Sequence, residues 1–287
     1  MRRIEYSRVV EAVSRLCVEA GYELPADVVR AVEQAAQKET HPRAKVILEQ
    51  LLENARIASA DRLPLCQDTG LTVVLIEQGH DLRIEPPADS PDQTLFDAVQ
   101  EGVAKGGEAG LLRKSVVAEP LNRRLNTQTN TPAVIHHNLT AGDALKITVM
   151  LKGGGCENKS QFRMFNPTEE KEAVAEWIVQ VANNAGANAC PPLVVGAGLG
   201  GNFEYSCILS KKALLRPIGS THPDPYYGQM EKDILAAINT SGPGPQGLGG
   251  DTTALAVHIE TAPCHIASLP VAVNIECHSH RHKSITL

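Results

Sequence analysis

Apolar residues recur at helical spacing through the first sixty residues of the chain. Val9, Val13 and Leu16 fall on one face of a helix. Residues 28–32 and 46–52 repeat this spacing, each a few residues after a proline that can begin a helix. The pattern therefore predicts two or three amphipathic helices in this segment.

Beyond this segment the pattern alternates between short β-branched runs and longer helical stretches. We predict strands at residues 71–76, 147–151, 193–195 and 254–259, and helices at residues 93–105, 169–184 and 231–238. The mixture predicts a mixed α/β (α+β) fold, in which a helical N-terminal layer precedes a mixed sheet domain. We expect a single catalytic domain over residues 1–287, with residues 1–60 mainly helical.

Composition narrows the class of protein. The net charge of −6 argues against nucleic acid as a partner, and no apolar stretch reaches the roughly 18–20 residues of a membrane span. The opening MRRIEYS has no apolar run after its basic pair, so we expect no signal peptide. Seven scattered cysteines do not suggest a disulfide framework. We therefore expect a cytoplasmic protein in a reducing compartment.

Three lone cysteines carry the candidate chemistry. Cys66, Cys190 and Cys277 are far apart in the sequence, each in a glycine-, proline- or polar-rich context. If they meet in space, three thiolates would hold three irons of a [4Fe-4S] cluster and leave the fourth iron open to substrate. Cys17 and Cys207, in apolar surroundings, fit small core residues instead.

Two alternatives to an iron–sulfur site follow from the same sequence. Five histidines between residues 258 and 282 lie close to Cys277, and histidine with cysteine is typical of zinc sites. The GAGLGG segment at residues 196–201 satisfies a dinucleotide-binding pattern after a predicted strand. The following Asn202 segment looks like a poor helix start, so we expect these glycines to serve tight packing.

Four ordered segments carry a family resemblance. They are LCQDTG at residues 65–70, KGGGCENK at 152–159, CPP at 190–192 and HIASLPVAVNIEC at 265–277. These segments resemble the iron–sulfur (class I) fumarate hydratases, in particular the alpha subunit of the two-subunit form, a relative of the tartrate dehydratase alpha subunit. The resemblance implies a [4Fe-4S] cluster with Cys66, Cys190 and Cys277 as its ligands.

The resemblance also implies the roles of five further residues. Gln67, Arg113 and Gly154 correspond to positions that bind the substrate, and a guanidinium such as that of Arg113 suits a carboxylate. Asp68 and His265 are the acid–base candidates, and the two roles are not separated between them. The glycine-rich segment would let the backbone approach a dicarboxylate closely.

Two other cysteines lie near the implied ligands. Cys156 occupies a position where relatives usually carry a small polar residue such as serine, so we interpret it as a neighbour of the site. Cys264, next to His265, is a weaker rival for the third ligand position.

The resemblance implies a hydro-lyase that reversibly hydrates fumarate to malate with the open iron as a Lewis acid. Single-chain relatives continue into a second domain that completes the pocket. We therefore expect a separate beta subunit, an apolar contact face, an alpha2beta2 or similar oligomer, no nucleic-acid or membrane partner, and little activity of this chain alone. The alternatives are an L-tartrate dehydratase alpha subunit and a zinc-stabilised, non-enzymatic interaction subunit.

Overall fold

The computed structural model describes residues 1–287. The helices are α1 (Tyr6–Tyr22), α2 (Ala26–Lys38), α3 (Pro42–Asp61), α4 (Leu95–Ala109), α5 (Gly154–Glu157), α6 (Lys171–Ala185), α7 (Phe203–Ala213) and α8 (Pro225–Ser241). The strands are β1 (Arg2–Glu5), β2 (Leu71–Gly79), β3 (Leu82–Glu85), β4 (Val134–Thr140), β5 (Leu145–Lys152), β6 (Gln161–Phe165), β7 (Leu193–Gly201), β8 (Ala254–Cys264), β9 (Leu269–Glu276) and β10 (His282–Thr286). The predicted mixed fold with a helical N-terminal part is confirmed. None of the helices combines the length and apolar character needed to cross a membrane.

The chain divides into two compact units. Unit 1 comprises Met1–Pro25, Ala55–Gly154 and Arg281–Leu287, and unit 2 comprises Ala26–Asn54 and Gly155–His280. Each unit contains one four-stranded sheet, and helix α3 contributes residues to both. The expectation of a single catalytic domain stays a prediction.

The four-stranded sheet of unit 1 has the order β10-β5-β2-β4. Strand β2 runs antiparallel to β5 and parallel to β4, so that Val74 faces Val149 on one side and Ile135 on the other. Helices α1 and α4 contribute buried valines to the same core. Gly102 lets them approach closely, because an added Cβ would lie 2.7 Å from the Cβ of Val13.

The sheet of unit 2 has the order β6-β9-β7-β8, with β7 antiparallel to β9 and parallel to β8. Helices α6 and α8 contribute Ile178 and Ile234 to a core that also contains Val195 and Val273 of the sheet. These aliphatic side chains are almost fully buried. The low aromatic content of the sequence is therefore matched by a core of branched aliphatic residues.

The GAGLGG segment forms the last six residues of strand β7, where its glycines allow close packing. A Cβ on Gly196 or Gly198 would overlap carbonyl oxygens of helix α7. The expectation that Asn202 is a poor helix start was wrong. Its side chain accepts a hydrogen bond from the Tyr205 N–H at 3.0 Å and caps α7, a role that asparagine performs well.

Candidate active site

In unit 1, Cys66 lies on the loop between α3 and β2. Its thiol is half-buried and contacts Gln67 Oε1 at 3.3 Å, and its Sγ accepts the Asp68 N–H at 3.5 Å. The preceding Leu65 is buried and donates its N–H to the Gly21 carbonyl at 2.8 Å. The loop is thus anchored on one side, and a backbone donor points to the sulfur.

Asp68 ties this loop to the glycine-rich segment at the end of β5. Its Oδ1 accepts the Gly70 N–H at 2.9 Å, and its Oδ2 accepts the Gly154 N–H at 2.8 Å. The Ser115 hydroxyl approaches Oδ1 at 3.5 Å. Gly70 has φ +75°, a conformation that glycine adopts without strain. The structure therefore joins two of the segments that carried the resemblance through one half-buried carboxylate.

Arg113 lies on an irregular segment of unit 1 with an exposed side chain. Its carbonyl accepts from Asn130 Nδ2 at 3.0 Å, and Asn130 Oδ1 accepts the Ser115 N–H at 2.6 Å. Asn130 is 1% exposed, so its amide is a fixed anchor for this segment. Sequence reasoning missed both Asn130 and Ser115, because neither belongs to a recognisable motif.

Arg281 is a further residue that sequence reasoning missed. It is 2% exposed, and its carbonyl accepts the Leu151 N–H at 3.0 Å. A Cβ added to Gly153 would lie 3.5 Å from Asp68 Oδ2 and 3.8 Å from Arg281 Nη2. A buried guanidinium therefore lies beside the glycine-rich segment and Asp68. Its only sequence signal was a lone arginine within the histidine-rich tail.

In unit 2, Cys190 and Cys277 lie on neighbouring segments. Cys277 directly follows β9 and is buried, whereas Cys190 is exposed and has the left-handed φ of +51°. The His278 N–H donates to the Cys190 carbonyl at 3.3 Å. The structure thus brings together two of the three predicted ligand segments, although 87 residues (277 − 190) separate them in the sequence.

Cys156, interpreted from the sequence as a neighbour of the site, lies close to Cys277. The ligand atoms of Cys156, Glu276 and Cys277 all lie within 4.8 Å of one another, and all three residues are buried. The Cys156 thiol also donates to the Ala189 carbonyl at 3.4 Å, next to Cys190. Cys264, in contrast, is exposed and donates to Ser268 within its own turn. Glu276 was not singled out in the sequence.

His265 lies in the exposed turn between β8 and β9. Its Nδ1 accepts the Ala267 N–H at 3.1 Å, and its carbonyl accepts the Ser268 hydroxyl at 3.2 Å. These bonds stabilise the turn and leave the ring at the surface of unit 2. The acid–base role of His265 stays a prediction.

The other histidines of this region have different surroundings. His258 is 1% exposed, and burial, with the nearby Arg216 as a second cause, lowers its pKa to about 4. His280 is buried, and its Nε2 bonds with the Leu214 carbonyl at 2.7 Å. None of the five histidines belongs to the Cys156–Glu276–Cys277 group. These positions do not favour the histidine-rich zinc site considered from the sequence.

Taken separately, each unit offers thiol groups whose surroundings suit ligation of an iron–sulfur cluster. Thiolates are the protein ligands of such clusters, and N–H donors to sulfur together with restricted solvent tune them. The Cys66 sulfur accepts a backbone N–H, Cys277 is buried at a strand end, and the Cys190 segment is hydrogen bonded to the residue after Cys277.

Comparison with known proteins identifies the class of protein. The profile described as fumarate hydratase (Fumerase) matches residues 10–286. A chain of Methanocaldococcus jannaschii, provisionally named L(+)-tartrate dehydratase subunit alpha, is 38% identical over 278 residues, covering 96% of this chain and 95% of that one. The L(+)-tartrate dehydratase subunit alpha of Escherichia coli K12 is 32% identical over 276 residues, covering 96% and 89%.

These matches define the protein as a hydro-lyase. The chain belongs to the fumarate hydratase (Fumerase) family. The family resemblance found in the sequence is therefore confirmed. Membership of an enzyme family speaks against the non-enzymatic interaction subunit.

Proposed function

We propose that this chain is the alpha-type subunit of an iron–sulfur hydro-lyase that reversibly hydrates fumarate to malate. The observation that carries the proposal is the position of Asp68. Asp68 lies two residues after Cys66 in the chain. Its carboxylate accepts a hydrogen bond from the Gly154 N–H of the glycine-rich segment. This arrangement supports a loop system in which a candidate proton acceptor, a closely approaching backbone and a candidate metal ligand lie near one another.

The cofactor in this proposal is a [4Fe-4S] cluster held by Cys66, Cys190 and Cys277. When bound, its open iron would supply Lewis-acid chemistry, which makes the substrate hydroxyl a better leaving group. The thiol donor set described above supports this assignment.

The side chains of unit 1 would bind the substrate and move its proton. Asp68 is suited to remove the proton from the carbon beside a substrate carboxylate, since its two oxygens are held in place by backbone donors. Arg113 presents an exposed guanidinium for a substrate carboxylate, and Gln67 lies exposed next to Cys66. In this proposal Gly154 contributes close backbone approach, and His265 is the second acid–base candidate.

A separate beta subunit is the proposed partner, in an alpha2beta2 or similar oligomer. The two relatives described above carry names that end in subunit alpha. Unit 1 exposes Leu111, Leu121 and Leu125, each more than 60% accessible, around the segment that contains Arg113. An exposed apolar surface of this kind is typical of a protein interface. We propose that the assembled enzyme works in the cytoplasm.

L(+)-tartrate dehydration is the second candidate activity. It is favoured by the names of the relatives at 38% and 32% identity. The same loops would serve both reactions, because malate and tartrate are four-carbon dicarboxylates that differ by one hydroxyl.

Anaerobic purification followed by iron, acid-labile sulfide and EPR measurements tests the cofactor. We expect about four irons and four sulfides per chain. They should be lost on Cys66→Ser, Cys190→Ser or Cys277→Ser and kept on Cys207→Ser. Zinc or no metal after anaerobic reconstitution would overturn the cluster assignment.

The second step is an activity assay of the chain co-expressed with its partner, with fumarate, malate and L(+)-tartrate as substrates. Fumarate–malate interconversion that needs both chains supports the main proposal. Turnover of tartrate alone would move the assignment to the second candidate, and full activity of the isolated chain would contradict the two-subunit site.

A further inference from the structure

We propose that Cys156, Glu276 and Cys277 form a binding site for one thiophilic divalent cation, such as zinc(II), in the chain that lacks its cluster. The site is argued from unit 2 alone. Only its competition with the cluster rests on the proposed function.

The geometry of the three donors is close to that of a metal site. Their ligand atoms lie within 4.8 Å of one another. Two sulfurs bound to one tetrahedral zinc at about 2.3 Å are about 3.8 Å apart. The two sulfurs therefore need to approach each other by at most about 1 Å to reach this spacing.

The short elements on either side hold the donors in this arrangement. Cys156 belongs to the four-residue helix α5, and its thiol is oriented by the Ala189 carbonyl at 3.4 Å. Glu276 is the last residue of β9, and Cys277 follows it directly. Gly155, next to Cys156, is exposed, so the donor group lies one residue from the surface.

Burial and charge favour a soft divalent cation over other ligands. Glu276 is 0%, Cys156 3% and Cys277 8% exposed. A dication that binds two thiolates and a carboxylate in such buried surroundings offsets most of the negative charge that ligation creates. Two sulfur donors select zinc(II) or a similar metal over calcium or magnesium, which prefer oxygen ligands.

The site shares Cys277 with the proposed cluster. We therefore expect zinc in this site to compete with cluster assembly, and an assembled cluster to weaken zinc binding, because both need the Cys277 sulfur. Cys156, which is not a proposed cluster ligand, is the residue that separates the two sites experimentally.

Cobalt(II) titration of the full 287-residue chain, freed of iron by chelation and kept anaerobic, tests the site. We expect one equivalent to bind with thiolate-to-cobalt charge-transfer absorption, which zinc(II) then abolishes by displacement. Cys156→Ser should weaken binding at least about 100-fold and remove most of that absorption. The matched control Cys207→Ser, another cysteine of unit 2, should bind as the unchanged chain does, and so should Cys66→Ser.

Circular dichroism verifies that each variant is folded, and Cys156→Ala replaces the serine variant if that one is not. Unaltered cobalt binding by the folded Cys156 variant, or its loss on Cys66→Ser, would overturn the inference. The latter result would mean that the cluster ligands themselves bind the cation.

Cluster reconstitution with and without one equivalent of zinc(II) separates this inference from the proposed function. Reconstitution that zinc blocks in the unchanged chain but not in Cys156→Ser supports both. Cobalt binding with no cluster under any condition leaves the cation site and removes the proposed function. Cluster assembly in a chain whose iron-free form does not bind cobalt would remove the cation site and leave the proposed function.

Discussion

The Cys66 loop of unit 1 and the strand-end cysteines of unit 2 are built in different ways. Cys66 lies on an irregular loop. The side chain of Asp68 stabilises this loop by accepting hydrogen bonds from the backbone N–H groups of Gly70 and Gly154. Cys277 follows a buried strand of a central sheet, and its segment is held by a backbone bond to Cys190.

The difference suggests that the Cys66 loop serves substrate binding and proton transfer, whereas the strand-end cysteines serve metal ligation. The half-buried carboxylate of Asp68 is accessible to a substrate, so it can take up and release a proton. A sulfur at the end of a buried strand, with Glu276 fully buried beside it, instead has a fixed and dry environment that suits metal ligation. We therefore expect changes at Asp68 and its backbone partners to affect turnover first, and changes at the strand-end residues Glu276 and Cys277 to affect metal binding first.

The largest expected effect is that of Asp68→Asn on turnover. The amide keeps the shape of the side chain but cannot accept a proton as the carboxylate does, and its NH2 group cannot accept one of the two backbone N–H bonds, so kcat of the assembled enzyme should fall by about 10²- to 10⁴-fold. Iron and sulfide content should stay near that of the unchanged protein. Ser115→Ala, which removes the 3.5 Å hydroxyl contact to Asp68, should have a much smaller effect. Loss of the cluster in Asp68→Asn would show that the loop is structural and would break the proposed division.

The dry interior of unit 2 predicts a pH dependence of stability. His258 has a pKa of about 4 in the folded chain against 6.5 as its ordinary value. The folded state therefore binds fewer protons than the unfolded state between these values. Its contribution to the free energy of unfolding is complete above pH 6.5 and is lost as the pH falls toward 4, amounting to about 3 kcal/mol.

Urea unfolding of the chain at several pH values between 4 and 7 measures this contribution. His258→Leu should flatten the acid slope, whereas the exposed His80→Gln should retain it. An unchanged slope in His258→Leu would mean that other groups cause the acid sensitivity.

Two glycines test the supports of the two regions with smaller effects. Gly70→Ala would overlap the Lys152 carbonyl at a φ of +75°, and Gly198→Ala would overlap the Ser206 carbonyl in α7. Gly142→Ala is the matched control for Gly70→Ala, because Gly142 has a φ of +90° but nothing within 4 Å of an added Cβ. The first two should lower the free energy of unfolding by roughly 1 to 3 kcal/mol more than the control does.

Activity sharpens the comparison further. At temperatures where both variants remain folded, Gly70→Ala should reduce turnover, because the added Cβ displaces the backbone N–H that donates to Asp68. Gly198→Ala should leave turnover unchanged. Equal turnover of the two folded variants would contradict a catalytic loop in unit 1.

The sequence was most informative where a pattern is local. The periodicity of Val9, Val13 and Leu16 located α1, and the β-branched run after Gly70 located β2, because burial of one face or of a whole strand requires such patterns. It failed at Asn202, where a capping side chain begins a helix within a glycine-rich stretch. Strand β4 was also missed, since its mostly exposed residues carry no burial pattern.

The sequence alone determined the mixed fold, the family and the three candidate cysteine ligands, because long ordered motifs and local periodicity survive without knowledge of contacts. Only the tertiary structure decided that Asp68 bonds to Gly154, that Arg281 is buried beside Gly153, and that Glu276 and Cys156 lie against Cys277. Such contacts join residues far apart along the chain, and the packing of sheets and helices that creates them leaves no signal at any single position.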